Sequence, residues 1–208
     1  MNEQEQPLYH NEEPEQEEKI PPLKSFVLYL HDLMYLLSVM MVVLLLVFRV
    51  VVVSGTSMNM TLLNGDYLLL LSNTFYHNPD QGDIIVVSKD SFDDGAAFVK
   101  RVIATEGQTV DIDFDAGIVY VDGIALEEPY INALTTVNGG MHFPLTVEEG
   151  CVFAMGDNRG ISKDSRYPDI GLIDTREILG RAIFLMIPGT NDMRNPQPRD
   201  FSRIGVIK

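Results

Sequence analysis

The chain has 208 residues, 46% of them hydrophobic, and a formal net charge of −15. That charge argues against a nucleic-acid partner, because phosphate binding needs clustered Lys and Arg. It also offers little general attraction to anionic lipid, so any membrane attachment must come from apolar sequence.

Residues 1–24 hold seven Glu and few large apolar side chains. Such a composition buries too little surface to offset chain entropy, and an acidic disordered tail is expected there. Residues 26–48 then read FVLYLHDLMYLLSVMMVVLLLVF. A helix of that length rises about 34 Å, enough to cross a hydrocarbon core of about 30 Å. The stretch follows acidic residues rather than a basic start, and it runs on into Arg49 and a Val run instead of a small-residue cleavage site. An uncleaved transmembrane helix over 25–49 is therefore expected rather than a removed signal peptide. Lys19 and Lys24 precede it and Arg49 follows it, which slightly favours a cytoplasmic N-terminus.

Beyond the span, short apolar runs alternate with Gly, Asn and Asp clusters, the pattern of a β protein. Strands are expected near 67–71, 83–87, 98–104, 110–113, 118–121, 151–155 and 181–187. Asp122-Gly123 is a tight-turn signal, and 174–179 is the best short helix candidate. The fold class is mainly β, with a single N-terminal transmembrane helix followed by a compact β-sheet or barrel-like domain over 50–190. About 155 residues suffice for one substantial core. Residues 191–208 form a C-terminal extension.

Several kinds of chemistry lack their motifs. The histidines His10, His31, His77 and His142 make no HExxH or Cys/His cluster, so no metal or cofactor is expected. There is no GxSxG, SxxK or P-loop. The lone cysteine, Cys151, permits no intrachain disulfide and reads as a small buried apolar residue.

Three segments remain. Ser57 sits in Ser54-Gly55-Thr56-Ser57-Met58, just past the span. Lys100 sits in the apolar strand Phe98-Val99-Lys100-Arg101-Val102-Ile103. Strand alternation puts Lys100 and Arg101 on opposite faces, so one of them is expected to point inward. Two readings of Lys100 stand at this level. It is a surface residue of a basic pair, or a desolvated amine whose pKa falls far enough to take a proton from a serine hydroxyl. The third segment, 156–166, is dense in polar groups. It reads either as a solvated turn or as a hydrogen-bonded loop bracing a site.

Together these segments resemble the type I signal peptidase family. SGTSMNMTLLNGD (54–66) is similar to its Ser-Met motif, and GDIIVV (82–87) and FVKRVIATEGQTV (98–110) to its lysine-strand region. VYVDGIAL (119–126) matches a hairpin, with Glu128-Pro129-Tyr130 after it. GDNRGISKDSR (156–166) follows, with Gly180-Arg181-Ala182 beyond. The resemblance implies a membrane-bound serine endopeptidase that removes signal peptides from exported preproteins, cleaving after small residues at −1 and −3. Its partners would be those preproteins and the lipid bilayer, with the peptidase domain extracytoplasmic at the cell membrane.

It also implies residue roles. Ser57 would be the nucleophile and Lys100 the general base. Ser162 would hydrogen-bond and orient the lysine, and Asp164 and Arg166 would brace the site. Asp157 and Arg159 would be structural. Val53, Met58, Leu62, Phe98 and Val99 would line shallow apolar subsites, with Met58 also touching the membrane surface. The Ser57 N–H would serve the oxyanion.

Two departures stand out. Gly55 occupies a position where some members carry a second oxyanion-binding hydroxyl, and Met60 stands where the family usually has Pro. Two other readings compete. A self-cleaving repressor-type Ser-Lys peptidase would lack the span and usually carry a DNA-binding domain. A catalytically impaired, peptidase-like single-pass binding or scaffold protein would not need Ser57 and Lys100 together.

Overall fold

A computed structural model describes residues 21–89, 92, 95–190 and 198–207. The described residues divide into two compact units, one ending at Val42 and one beginning at Val43. The acidic tail expected over 1–24 falls almost wholly outside the described residues.

Helix α1 runs from Pro22 to Val47, so it begins earlier than the sequence suggests. Proline is tolerated in a first turn because its missing N–H would have no partner there. Leu and Met side chains favour the helix, and Ser38 bonds back to the Met34 carbonyl. None of its residues is buried by protein. By length and composition α1 is able to cross a membrane.

Phe48 does not belong to the helix. Phe48–Val52 is strand β1, paired antiparallel with β2 (Tyr67–Ser72). The β-branched run at 50–53 suits a pleated strand, and β2 supplies the ladder. Then follow β3 (Ile84–Ser88), β4 (Ala97–Thr105), β5 (Thr109–Asp113), β6 (Ile118–Val121), β7 (Ile124–Ala125), β8 (Leu145–Thr146), β9 (Cys151–Met155), β10 (Ile173–Asp174), β11 (Ile178–Ile187) and β12 (Gly205–Val206). The main sheet has the order β1-β2-β11-β3-β4-β9-β10, with β12 added to β11. A smaller sheet has the order β7-β6-β5-β8.

The central strand β3 explains its own sequence. Ile84 and Val86 enter one apolar cluster with Val53, Met58, Leu62 and Leu70. Ile85 and Val87 enter another with Val102, Ala154 and Ile178. A strand covered on both faces reads as an unbroken apolar run. By contrast β5 and β6 bury only Val110, Ile112, Val119 and Val121, so Asp111 and Asp113 face outward. The Asp122-Gly123 turn has φ of 53° and 78°, as a two-residue hairpin requires.

The helix expected at 174–179 is one 3-10 turn, Thr175–Glu177. Asp174 and Glu177 cap each other across it, and Ile178 onward is drawn into β11. Cys151 is only partly buried. Strands β1, β8, β10 and β12 lack the alternation or length that reveals a strand in sequence.

The described part of the C-terminal extension packs onto the β unit. Val206 and Gly205 pair with Phe184 and Leu185. Arg203 holds the buried Asp66 with Nη1 at 3.0 Å and Nη2 at 2.8 Å. Its Nη2 also donates to the Thr61 carbonyl at 3.2 Å. Arg203→Ala leaves a buried carboxylate without its cation, at a cost of about 2–3 kcal/mol given partial exposure of the arginine. A lowered urea midpoint of the full chain with an unchanged slope is the expected result.

Candidate active site

Ser57 rides on the loop joining β1 to β2. That loop is cross-braced by Gly65 N–H to the Val53 carbonyl (2.8 Å), Val53 N–H to the Asp66 carbonyl (2.9 Å) and Leu62 N–H to the Met58 carbonyl (2.9 Å). Gly55 has φ of 96°, a conformation that strains any side chain, and its N–H donates to Asn64 Oδ1. A glycine at this position thus has a local cause. Met60 points to solvent, 73% exposed.

Lys100, on β4, brings its Nζ to 3.0 Å from Ser57 Oγ. The same Nζ lies 3.1 Å from the Val99 carbonyl and 5.4 Å from the Phe98 ring centroid. Lys100 is 3% exposed. Burial pulls its pKa down to about 8; Asp164 and Asp157 resist that shift and Arg166 adds to it. About a tenth of Lys100 is therefore a neutral amine at pH 7, and a neutral amine accepts a hydroxyl proton.

Arg101 is also buried, at 2% exposure, so both cations point inward rather than one. The reason lies on the opposite face of β4. Arg101 Nε and Nη2 grip Asp157 at 2.9 and 2.8 Å, and the Tyr130 ring covers the guanidinium at 4.0 Å. Burial and then Glu128 push the Tyr130 phenol up to about 12. Asp157 also accepts from Thr61 Oγ1 at 2.5 Å, tying the base strand to the nucleophile loop.

The segment 156–166 is a hydrogen-bonded loop, not a solvated turn. Arg166 Nε and Nη2 each hold Asp164 at 2.9 Å, with both side chains fully buried. Arg166 also donates to the carbonyls of Val137, Arg159 and Ser162. Asp164 Oδ2 accepts from Gly156 N–H at 3.0 Å. Arg159 reaches Glu128 and Thr135. Sequence reasoning gave Glu128 and Thr135 no role, because nothing local to them announces an arginine some thirty residues on.

The remaining expected site residues divide. Ser162 is buried, but its Oγ has no hydrogen-bond partner among the described residues; Lys100 is engaged by Ser57 and Val99 instead. Val53, Met58 and Leu62 lie in the core beneath the nucleophile loop, and Val99 packs against that cluster. Met58, 1% exposed, does not reach a membrane surface. Phe98 lines an open cleft of about 380 Å³ together with Ser57, Lys100, Phe92, Ala97 and Ile161. A larger cavity of about 710 Å³ is bordered by Arg101, Tyr130 and Arg181 and has no serine or lysine in its wall. No group of His, Cys, Asp and Glu able to hold a metal occurs among the described residues.

A buried amine against a hydroxyl in an open cleft is equipped for nucleophilic attack on a carbonyl. Residues 26–187 match the family model "Signal peptidase, peptidase S26". The chain is 39% identical over 146 residues to a probable signal peptidase I-1 of Synechocystis, covering 66% of this chain and 70% of that protein. It is 34% identical over 149 residues to a signal peptidase I of Bacillus licheniformis, covering 68% and 77%. A solved signal peptidase I of Enterococcus faecalis is 31% identical, with TM-score 0.41, over 50% of this chain and 96% of that one. The chain belongs to the type I signal peptidases of peptidase family S26, serine endopeptidases.

Proposed function

We propose that the chain is a single-pass membrane endopeptidase that removes signal peptides from exported preproteins, with Ser57 as nucleophile and Lys100 as general base. The contact between Lys100 Nζ and Ser57 Oγ at 3.0 Å, with Lys100 3% exposed, carries this reading. Neutral Lys100 accepts the Ser57 proton as Oγ attacks the scissile carbonyl. The oxyanion develops toward the Ser57 N–H. The ammonium then gives its proton to the leaving amine, which departs as the new N-terminus of the mature protein. Water, deprotonated by the same amine, releases the signal peptide from the acyl-enzyme.

Asp164 and Arg166 keep the loop at 156–166 rigid beside the lysine, with Ser162 packed within it. Phe98 and Val99 flank the extended substrate. Val53, Met58 and Leu62, packed in the core, support the nucleophile loop beneath subsites that take small side chains at −1 and −3. Helix α1 anchors the enzyme in the cell membrane, with the N-terminus cytoplasmic and the β domain outside.

Membranes carrying the full chain should trim a preprotein bearing Ala at −1 and −3 at that bond, read by product mass. Persistence of intact preprotein would refute the activity. Only the neutral amine is a base, so protonation silences the enzyme as pH falls. The value of kcat/KM should rise about tenfold per pH unit on the acid side and level off near pH 8. A limb near the ordinary lysine value of about 10.4 would contradict a desolvated base.

A further inference from the structure

We propose that Asn158 is a positioning residue that sets the direction of the Ser57 backbone N–H toward the developing oxyanion. The inference rests on the Ser57 and Lys100 assignment and extends it to a residue given no role so far.

Thr56 C=O and Ser57 N–H are the two ends of one peptide plane. In a trans peptide they point in opposite directions, so whatever fixes the carbonyl also aims the N–H. Asn158 Nδ2 donates to the Thr56 carbonyl at 3.1 Å. The backbone N–H of Asn158 donates to the next carbonyl, that of Ser57, at 2.9 Å. Asn158 therefore holds the peptide groups on both sides of the Ser57 α-carbon, sharing the Thr56 carbonyl with Asn59 N–H at 3.2 Å. Neither peptide can rotate without breaking a bond to Asn158.

The amide of Asn158 is itself held. Asn132 Nδ2 donates to Asn158 Oδ1 at 2.9 Å. A flipped Asn158 amide would set oxygen against the Thr56 carbonyl and NH₂ against NH₂, so the two contacts fix one orientation. A donor on the Thr56 carbonyl also polarises the Ser57 N–H at the other end of the amide. Among the described residues, no group accepts a hydrogen bond from Ser57 N–H, which leaves it open to a substrate oxygen. Gly55 has no side-chain hydroxyl to share the oxyanion, so the aim of this single N–H weighs more in this chain.

Removing an oxyanion donor outright costs about 10²–10³-fold in kcat. Loosening its aim should cost less. For Asn158→Ala in the full chain, kcat should fall about 10–30-fold with KM within about twofold. Asn158→Asp keeps the size, removes the donor, and should fare no better. Asn132→Ala should give a weaker effect of the same kind, about 2–5-fold. The separating probe is a signal-peptide aldehyde. Ser57 Oγ adds to its carbonyl, Lys100 takes the hydroxyl proton, and a hemiacetal oxyanion forms against the Ser57 N–H. Affinity for that aldehyde should drop in step with kcat, while affinity for an uncleavable peptide stays put and the acid limb of the pH profile does not move.

Wild-type kcat and aldehyde affinity in Asn158→Ala would overturn the proposal. So would an equal loss of aldehyde and peptide affinity, which marks a collapsed loop, or a shifted acid limb, which marks an effect through Lys100. Should Asn158→Ala not fold, Asn132→Ala decides on the same readouts. Ser57→Ala runs alongside. If it still cleaves, the nucleophile assignment fails, and that outcome is distinct from a failure of Asn158.

Discussion

Lys100→Met should lower kcat/KM for preprotein cleavage about 10⁴-fold while leaving the fold intact. Methionine fills nearly the same volume beside Phe98 but has no amine. Ser57 Oγ then keeps its proton at the moment of attack, and a neutral hydroxyl is a weak nucleophile. Lys100→Arg should be as damaging, although it retains the charge, because a guanidinium is never deprotonated in a protein and cannot serve as a base. Ser57→Ala should match both, since nucleophile and base act as one unit and their losses do not add.

The fold should tolerate Lys100→Met. The ammonium form is held in a buried site at a cost, which is why its pKa falls to about 8. Replacing it with an apolar side chain removes that cost, so the melting temperature should stay level or rise. An inactive protein with a markedly lower melting temperature would point to unfolding instead. Processing by membranes with Lys100→Met at the wild-type rate would falsify the general-base assignment.

How far the sequence leads depends on the range of the interaction. Helix α1 was legible because 23 successive residues carry the signal. Strands β2, β5, β6 and β9 were legible because alternation or an apolar run marks them locally. Strand β1 was not, because no Gly or Pro separates Phe48–Val52 from the helix before it, and it becomes a strand only through its pairing with β2.

The site behaves in the same way. Strand alternation marks one inward cation of the pair at 100–101, but it does not reveal that Arg101 is buried as well. Its partner Asp157 lies 56 positions away. Ser57 and Lys100 are 43 apart, and nothing in composition joins them; their pairing came from the ordered resemblance of whole motifs. The clamp of Arg203 on Asp66 spans 137 positions and left no trace in sequence. Long-range polar contacts depend on the packed geometry, and no local pattern encodes it.

Gly156→Ala should be the most damaging change outside the Ser57–Lys100 pair, with a loss of about 10²-fold or more in kcat/KM. Its backbone has no positive φ, so the need for glycine here is one of space. A Cβ at Gly156 would lie 2.2 Å from Ser162 Oγ, 2.6 Å from Ser162 Cβ and 2.5 Å from the Ser57 carbonyl oxygen. Ser162 is fully buried, and the Ser57 carbonyl is held by Asn158 N–H at 2.9 Å, so neither can yield cheaply. The methyl group must push the nucleophile's own peptide away from the loop at 156–166. Ser57 Oγ would then leave its 3.0 Å contact with Lys100, and an error of about 1 Å in that geometry suffices for the stated loss. Gly160→Ala is the matched control, because an added Cβ there meets nothing within 4 Å. It should retain activity within about twofold, since a surface change away from any special feature is nearly neutral. A Gly156→Ala enzyme as active as Gly160→Ala would mean that the close packing of this loop on Ser57 is not what keeps the hydroxyl against the amine.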